Sequence, residues 1–151
     1  MRSQYQGILL VEDDEDDVFL MERALSKAKL DPPLYVAANG QEAIDYLAGN
    51  GKYADRTTYP IPGCIFLDLK LPFRDGFEVL EWIRSETSLA PSDVFVLTSS
   101  PEDRDRERAE QLGAKAYLIK PPTPQMLIKV MGSNPSCFPA AAGPGISALD
   151  Q

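Results

Sequence analysis

"GILLVEDDEDD", residues 7–17, sets an aliphatic run directly against six consecutive carboxylates, Glu12 to Asp17. The run is apolar at successive positions, as expected for a strand covered on both faces. Four more runs share its character: "LYVAA" (34–38), "GCIFL" (63–67), "DVFVLT" (93–98) and "AYLI" (116–119). Between them the apolar residues take helical spacing, as in Val18, Met21, Leu25 and Ala28, then Ala43, Ile44 and Leu47, then Val79, Leu80 and Ile83. Gly113 closes a fourth helical segment where a left-handed C-cap is expected. Alternating strands and helices of this kind predict an α/β fold, a five-stranded parallel sheet with helices on both faces.

The chain has 151 residues, 44% of them hydrophobic, which suits one domain with a sizeable core. It carries no basic-then-apolar leader, and no apolar run approaches the roughly 18 residues a membrane span needs. A cytoplasmic protein without membrane contact is the expectation. A net charge of −8 opposes binding to nucleic-acid phosphates. Cys64 and Cys137 stand far apart without metal-ligand spacing, so a buried thiol, rather than a disulfide, is expected at Cys64. The Gly/Pro-bearing stretch 49–63 enters the N-terminal edge of the third strand, away from the edge where open α/β sheets bind ligands. Residues 132–151, rich in Pro, Gly and Ala, predict a flexible or peripherally packed tail, and 1–6 a short N-terminal extension.

Polar side chains gather at the carboxyl ends of four of these runs. The first run leads to Glu12 and Asp13, the third to Asp68, the fourth ends at Thr98 and Ser99, and the fifth leads to Lys120. In a parallel sheet these ends share one edge, so the residues converge on one crevice. Carboxylates packed there repel one another unless a cation is present, and hard oxygen ligands suit Mg²⁺. A carboxylate beside Mg²⁺ can attack a phosphoryl group, with the metal and an ammonium neutralising the transferring oxygens. Asp68, Lys120 and Thr98 supply a nucleophile, a cation and a hydroxyl donor. Singly, Asp68 and Thr98 could be caps and Lys120 a loop lysine. Of the acidic run, Glu12 and Asp13 read as ligands and Glu15 to Asp17 as solvated helix-start charge, while Asp14 fits either role.

"ILLVEDDEDD", "IFLDLKLPFRDG", "VFVLTSS" and "GAKAYLIKPP", in this order and spacing, resemble the receiver domain of two-component response regulators over about residues 7–131. The resemblance implies the flavodoxin-like, chemotaxis-regulator strand order 2-1-3-4-5. It implies phosphorylation of Asp68 by a partner histidine kinase. Glu12, Asp13, Asp68 and the Lys70 carbonyl would hold Mg²⁺, Lys120 would be the site lysine, and Thr98 and Tyr117 the switch pair. Tyr117 also fits a plain half-buried strand position. The Lys120–Pro121 bond would be cis. The long loop before the third strand and "DLKLPFRDGFEVLEWIR" are similar to single-domain regulators paired with bacterial phytochrome-type kinases. No output domain is expected, so the signal would pass by changed protein–protein contact, including homodimerisation through the fourth helix, fifth strand and fifth helix. Lys70 and Ser100 are the neighbours of Asp68 expected to tune phosphoryl lifetime.

An aspartyl-phosphate phosphatase is the alternative. Haloacid-dehalogenase-like enzymes place a second Asp two residues after the nucleophile, and Lys70 stands there. An EF-hand loop starting at Asp13 fails because Val18 occupies the glycine position. Neither GxxxxGK[ST] nor a GxGxxG after the first strand is present. With no histidine, the chain is not itself a histidine kinase or phosphotransfer protein.

Overall fold

The computed structural model describes residues 6–86, 89, 92–132, 134 and 137. Five strands, β1 (Ile8–Val11), β2 (Leu34–Ala37), β3 (Cys64–Leu67), β4 (Asp93–Thr98) and β5 (Ala116–Ile119), pair in parallel in the order β2-β1-β3-β4-β5. Between and after them come α1 (Glu15–Lys27), α2 (Gly40–Ala48), α3 (Gly76–Ser85), α4 (Asp103–Gln111) and α5 (Pro124–Gly132), with a 3₁₀ turn at Gly51–Ala54. The strand order is that of the receiver fold. The ranges expected for the tail and the N-terminal extension lie mostly outside the described residues.

Alternation within each strand divides the core. Leu9, Val11, Ile65, Leu67 and Val96 face α2 and α3, whereas Ile8, Leu10, Phe66, Phe95 and Leu97 face α1 and α5. All ten, from β1, β3 and β4, are buried, which explains why those central strands read as apolar runs. Helix starts are fixed by carboxylate and amide caps: Asp14 accepts from the Asp16 N–H at 2.9 Å, Asn39 caps α2, and Asp75 with Glu78 forms a capping box on α3. Asp14 is thus a cap. Gly76 opens α3 so close to the preceding segment that a Cβ there would lie 2.3 Å from the Asp68 carbonyl oxygen. Gly113, just past α4, takes φ 100°, as the sequence predicts for a helix end.

The 49–63 stretch is an ordered cover. Arg56 donates to the Tyr46 and Leu47 carbonyls at the end of α2, each at 2.8 Å. Tyr46 packs against Tyr35, Tyr53 and Tyr59 and donates its hydroxyl to the Pro60 carbonyl at 2.9 Å.

The cysteines depart from the sequence expectation of a free thiol. Cys64, at the start of β3, forms a disulfide with Cys137, their Cα atoms 5.1 Å apart and both residues fully buried beside α1 and α5. The pairing spans 73 residues, so only the fold brings the two together. Closing a loop of that length restricts the unfolded chain. Reduction, or Cys137→Ser, is expected to lower the unfolding free energy by about 2–4 kcal/mol, read from urea denaturation with and without reductant.

Candidate phosphoryl-transfer site at the strand ends

β1, β3, β4 and β5 deliver the residues at their carboxyl ends to one edge. Lys120 lies at the centre: its Nζ meets Glu12 Oε1 at 2.7 Å, Asp17 Oδ2 at 2.8 Å and Asp68 Oδ2 at 3.0 Å. The side chains of Lys120, Glu12 and Asp68 are 13%, 3% and 8% exposed, so these contacts are made largely out of water. Burial opposes charge on Lys120, but the hydrogen bonds it donates to Asp17, Glu12 and Asp68 outweigh that and hold the ammonium above the ordinary lysine range. Burial likewise pushes Glu12 above the usual carboxylate value, only partly offset by its bond to Lys120 and by the Asp14 N–H at 3.2 Å.

Asp17 corrects the sequence reading. The sequence predicts it solvated with Glu15 and Asp16, which are exposed, yet it reaches a lysine 103 residues away. Its position in the first turn of α1 turns it toward the site, and nothing in the local sequence signals that partner.

Glu12, Asp13 and Asp68 present oxygen atoms within 4.8 Å of one another, with Asp13 exposed. Lys70 is adjacent: its N–H donates to Asp68 Oδ1 at 3.3 Å, and with Asp13, Asp75 and Phe77 it lines a cleft at this edge. Four carboxylates, counting Asp17, here meet the Lys120 ammonium, leaving a local excess of three negative charges. A divalent cation with oxygen preference fits that donor set and reduces the excess to one.

Thr98 ends β4 fully buried, its Oγ1 accepting from the Ser100 N–H at 3.4 Å. Tyr117, on β5, is also buried and donates its hydroxyl to the Ser100 carbonyl at 2.9 Å; burial raises its pKa. Ser100 Oγ donates to Asp105 Oδ2 on α4 at 2.7 Å. Arg106 lies 4.6 Å over the Tyr117 ring. The Lys120–Pro121 peptide is cis.

Residues 8–131 match the family model "Response regulator receiver domain". The chain belongs to the response regulator receiver family. Response regulator Rcp1 of Synechocystis sp. is 36% identical over 113 residues, covering 75% of each chain. Among solved structures, the bacteriophytochrome response regulator AtBRR is 35% identical with a TM-score of 0.77, covering 97% of this chain and 99% of its own. The phosphorylated cyanobacterial phytochrome response regulator RcpA is 32% identical with a TM-score of 0.72, covering 85% and 90%. This receiver is therefore a two-component signalling module related to phytochrome response regulators. Among the described residues, none of its helices is long and apolar enough to cross a membrane.

Removing the central cation should expose the carboxylate repulsion. Lys120→Met is expected to lose about 3–5 kcal/mol of stability in the absence of metal. Saturating Mg²⁺ should restore of order 1–3 kcal/mol. The loss should shrink as the pH falls through the raised Glu12 pKa, because the neutral acid no longer repels its neighbours. Urea unfolding of both proteins across pH, with and without Mg²⁺, measures all three.

Proposed function

We propose that this receiver is a response regulator that takes a phosphoryl group from a partner histidine kinase onto Asp68 in a Mg²⁺-dependent reaction. The observation that carries the reading is the Lys120 ammonium held between Glu12 and Asp68 beside the acidic cluster. An Asp68 carboxylate oxygen attacks phosphorus, an O–P bond forms, and the N–P bond to the kinase imidazole breaks. The leaving nitrogen takes the electron pair. Lys120 neutralises charge on the transferring oxygens. Glu12, Asp13, Asp68 and the Lys70 carbonyl would hold Mg²⁺, which when bound supplies further positive charge to the same oxygens. The protein catalyses only its own phosphorylation and dephosphorylation. A phosphatase reading has less support, because Lys70 occupies the position of the second acid.

The relatives named for phytochromes support a phytochrome-type kinase as the partner, acting in the cytoplasm. Output runs through Thr98. A phosphoryl oxygen accepting a hydrogen bond from its hydroxyl draws the β4–α4 loop inward, and the Ser100 carbonyl carries Tyr117 with it. That changes the face of α4, β5 and α5, through which homodimerisation or kinase affinity responds. The acidic surface makes nucleic acid an unsuitable partner.

Incubation with acetyl phosphate should add one phosphoryl group by intact mass, only with divalent metal and not in Asp68→Asn. Equal labelling of that variant would remove Asp68 from the role.

For output, sedimentation of wild type with a beryllofluoride mimic should show an altered association state, and Thr98→Ala should show none. An unresponsive wild type with unaltered kinase binding would leave the α4-β5-α5 face without a role.

A further inference from the structure

The Lys120 ammonium has three N–H donors, and three carboxylate oxygens lie within 3.0 Å of it. Two of those acceptors, Glu12 and Asp68, belong to the acidic cluster that fits a divalent cation. Asp17 does not. A cation bound by Glu12 and Asp68 takes their lone pairs and repels the ammonium, so both of those bonds to Lys120 weaken when the metal enters. Asp17 remains as a partner on a different element, with its carboxylate in the first turn of α1. Its side chain is 29% exposed, so the ion pair has one face toward water and can persist while the buried contacts exchange. A solvated helix-start charge needs no such partner, as exposed Glu15 and Asp16 on the same turn illustrate.

We infer that Asp17 is a positioning residue for Lys120: it holds the ammonium beside the site when metal occupies Glu12, Asp13 and Asp68. Without that hold, Lys120 has only Glu12 and Asp68 as partners, so a metal must displace it from both. It then competes for lone pairs of the nucleophile and opposes metal entry. Asp17 therefore acts through Lys120 rather than on the phosphoryl group itself. The inference rests on the phosphoacceptor reading of Asp68, yet its metal-binding consequence is measurable without any phosphorylation.

The test is a double-mutant cycle on the full chain: wild type, Asp17→Asn, Lys120→Met and the double variant. Mg²⁺ affinity is read by titration calorimetry and the phosphorylation rate from acetyl phosphate by mass. In the wild-type background Asp17→Asn should weaken Mg²⁺ binding and slow phosphorylation, each by about tenfold, the size of coupling expected of groups in direct contact. In the Lys120→Met background the same substitution should change Mg²⁺ affinity less than twofold. Equal weakening in both backgrounds would overturn the inference, because Asp17 would then act by its own field. So would an Asp17→Asn protein that matches wild type. If wild type binds Mg²⁺ but is never phosphorylated, the phosphoacceptor reading falls while the affinity cycle still decides the role of Asp17. Should Lys120→Met fail to fold, nitrogen-15 spectra of the Lys120 ammonium replace it. A slowly exchanging signal that survives Mg²⁺ in wild type and vanishes in Asp17→Asn supports the inference, and identical behaviour in the two overturns it.

Discussion

Mutual repulsion of carboxylates at the ends of parallel strands is the constraint around which this molecule is arranged. Glu12 and Asp68 come directly after neighbouring strands whose registered pairs run from Ile8 with Cys64 to Val11 with Leu67. That pairing forces their side chains together whatever their charge. The Lys120 ammonium answers the repulsion from two strands away, and in doing so ties β5, β1, β3 and α1 into one corner. Much of the fold's precision serves this corner: the Lys120 N–H bonds to the Thr98 carbonyl at 2.8 Å, and the Asp68 N–H to the Val11 carbonyl at 3.2 Å. The apolar sheet makes the polar edge rigid, and the polar edge is where chemistry becomes possible.

The β4 side is built differently. Ser100 joins three elements: its N–H to Thr98, its carbonyl to Tyr117 on β5, its hydroxyl to Asp105 on α4. A displacement at Thr98 therefore has bonded routes to both neighbouring elements.

The range of each interaction sets how much of this is legible in the sequence. All five strands lie where apolar runs stand, with bounds within a residue; in β1 and β3 every side chain is apolar because every one is buried, whereas the edge strands β2 and β5 keep apolar side chains that are mostly only partly covered. The residues after the strands are legible for the same reason: once the sheet is known, its edge is known. Strand order is not readable from patterning and comes from the resemblance. Asp17 is misassigned from sequence because its carboxylate looks locally like its neighbours, and its partner is 103 residues distant. Ser100 stands out in the sequence as a neighbour of Asp68 but not as a junction, since its bonds depend on how α4 and β5 settle. Cys137 carries no signal beyond its residue type, and its burial against β3 is a property of the assembled fold.

The bare Cα of Gly76 lies against the backbone just after Asp68, with no room for even a methyl group. That contact works as an abutment. The β3–α3 turn is braced by a helix start that is itself locked by the Asp75–Glu78 box, so the segment behind Asp68 has nowhere to recoil. On the opposite side stands a loop held by a few hydrogen bonds through Ser100, two of them at 3.4 Å. A group added to Asp68 would thus meet a braced turn at α3 and, across the site, a loop held by few bonds. Any displacement toward such a group would be taken up by the loop through Ser100, with the first turn of α3 as the fixed reference.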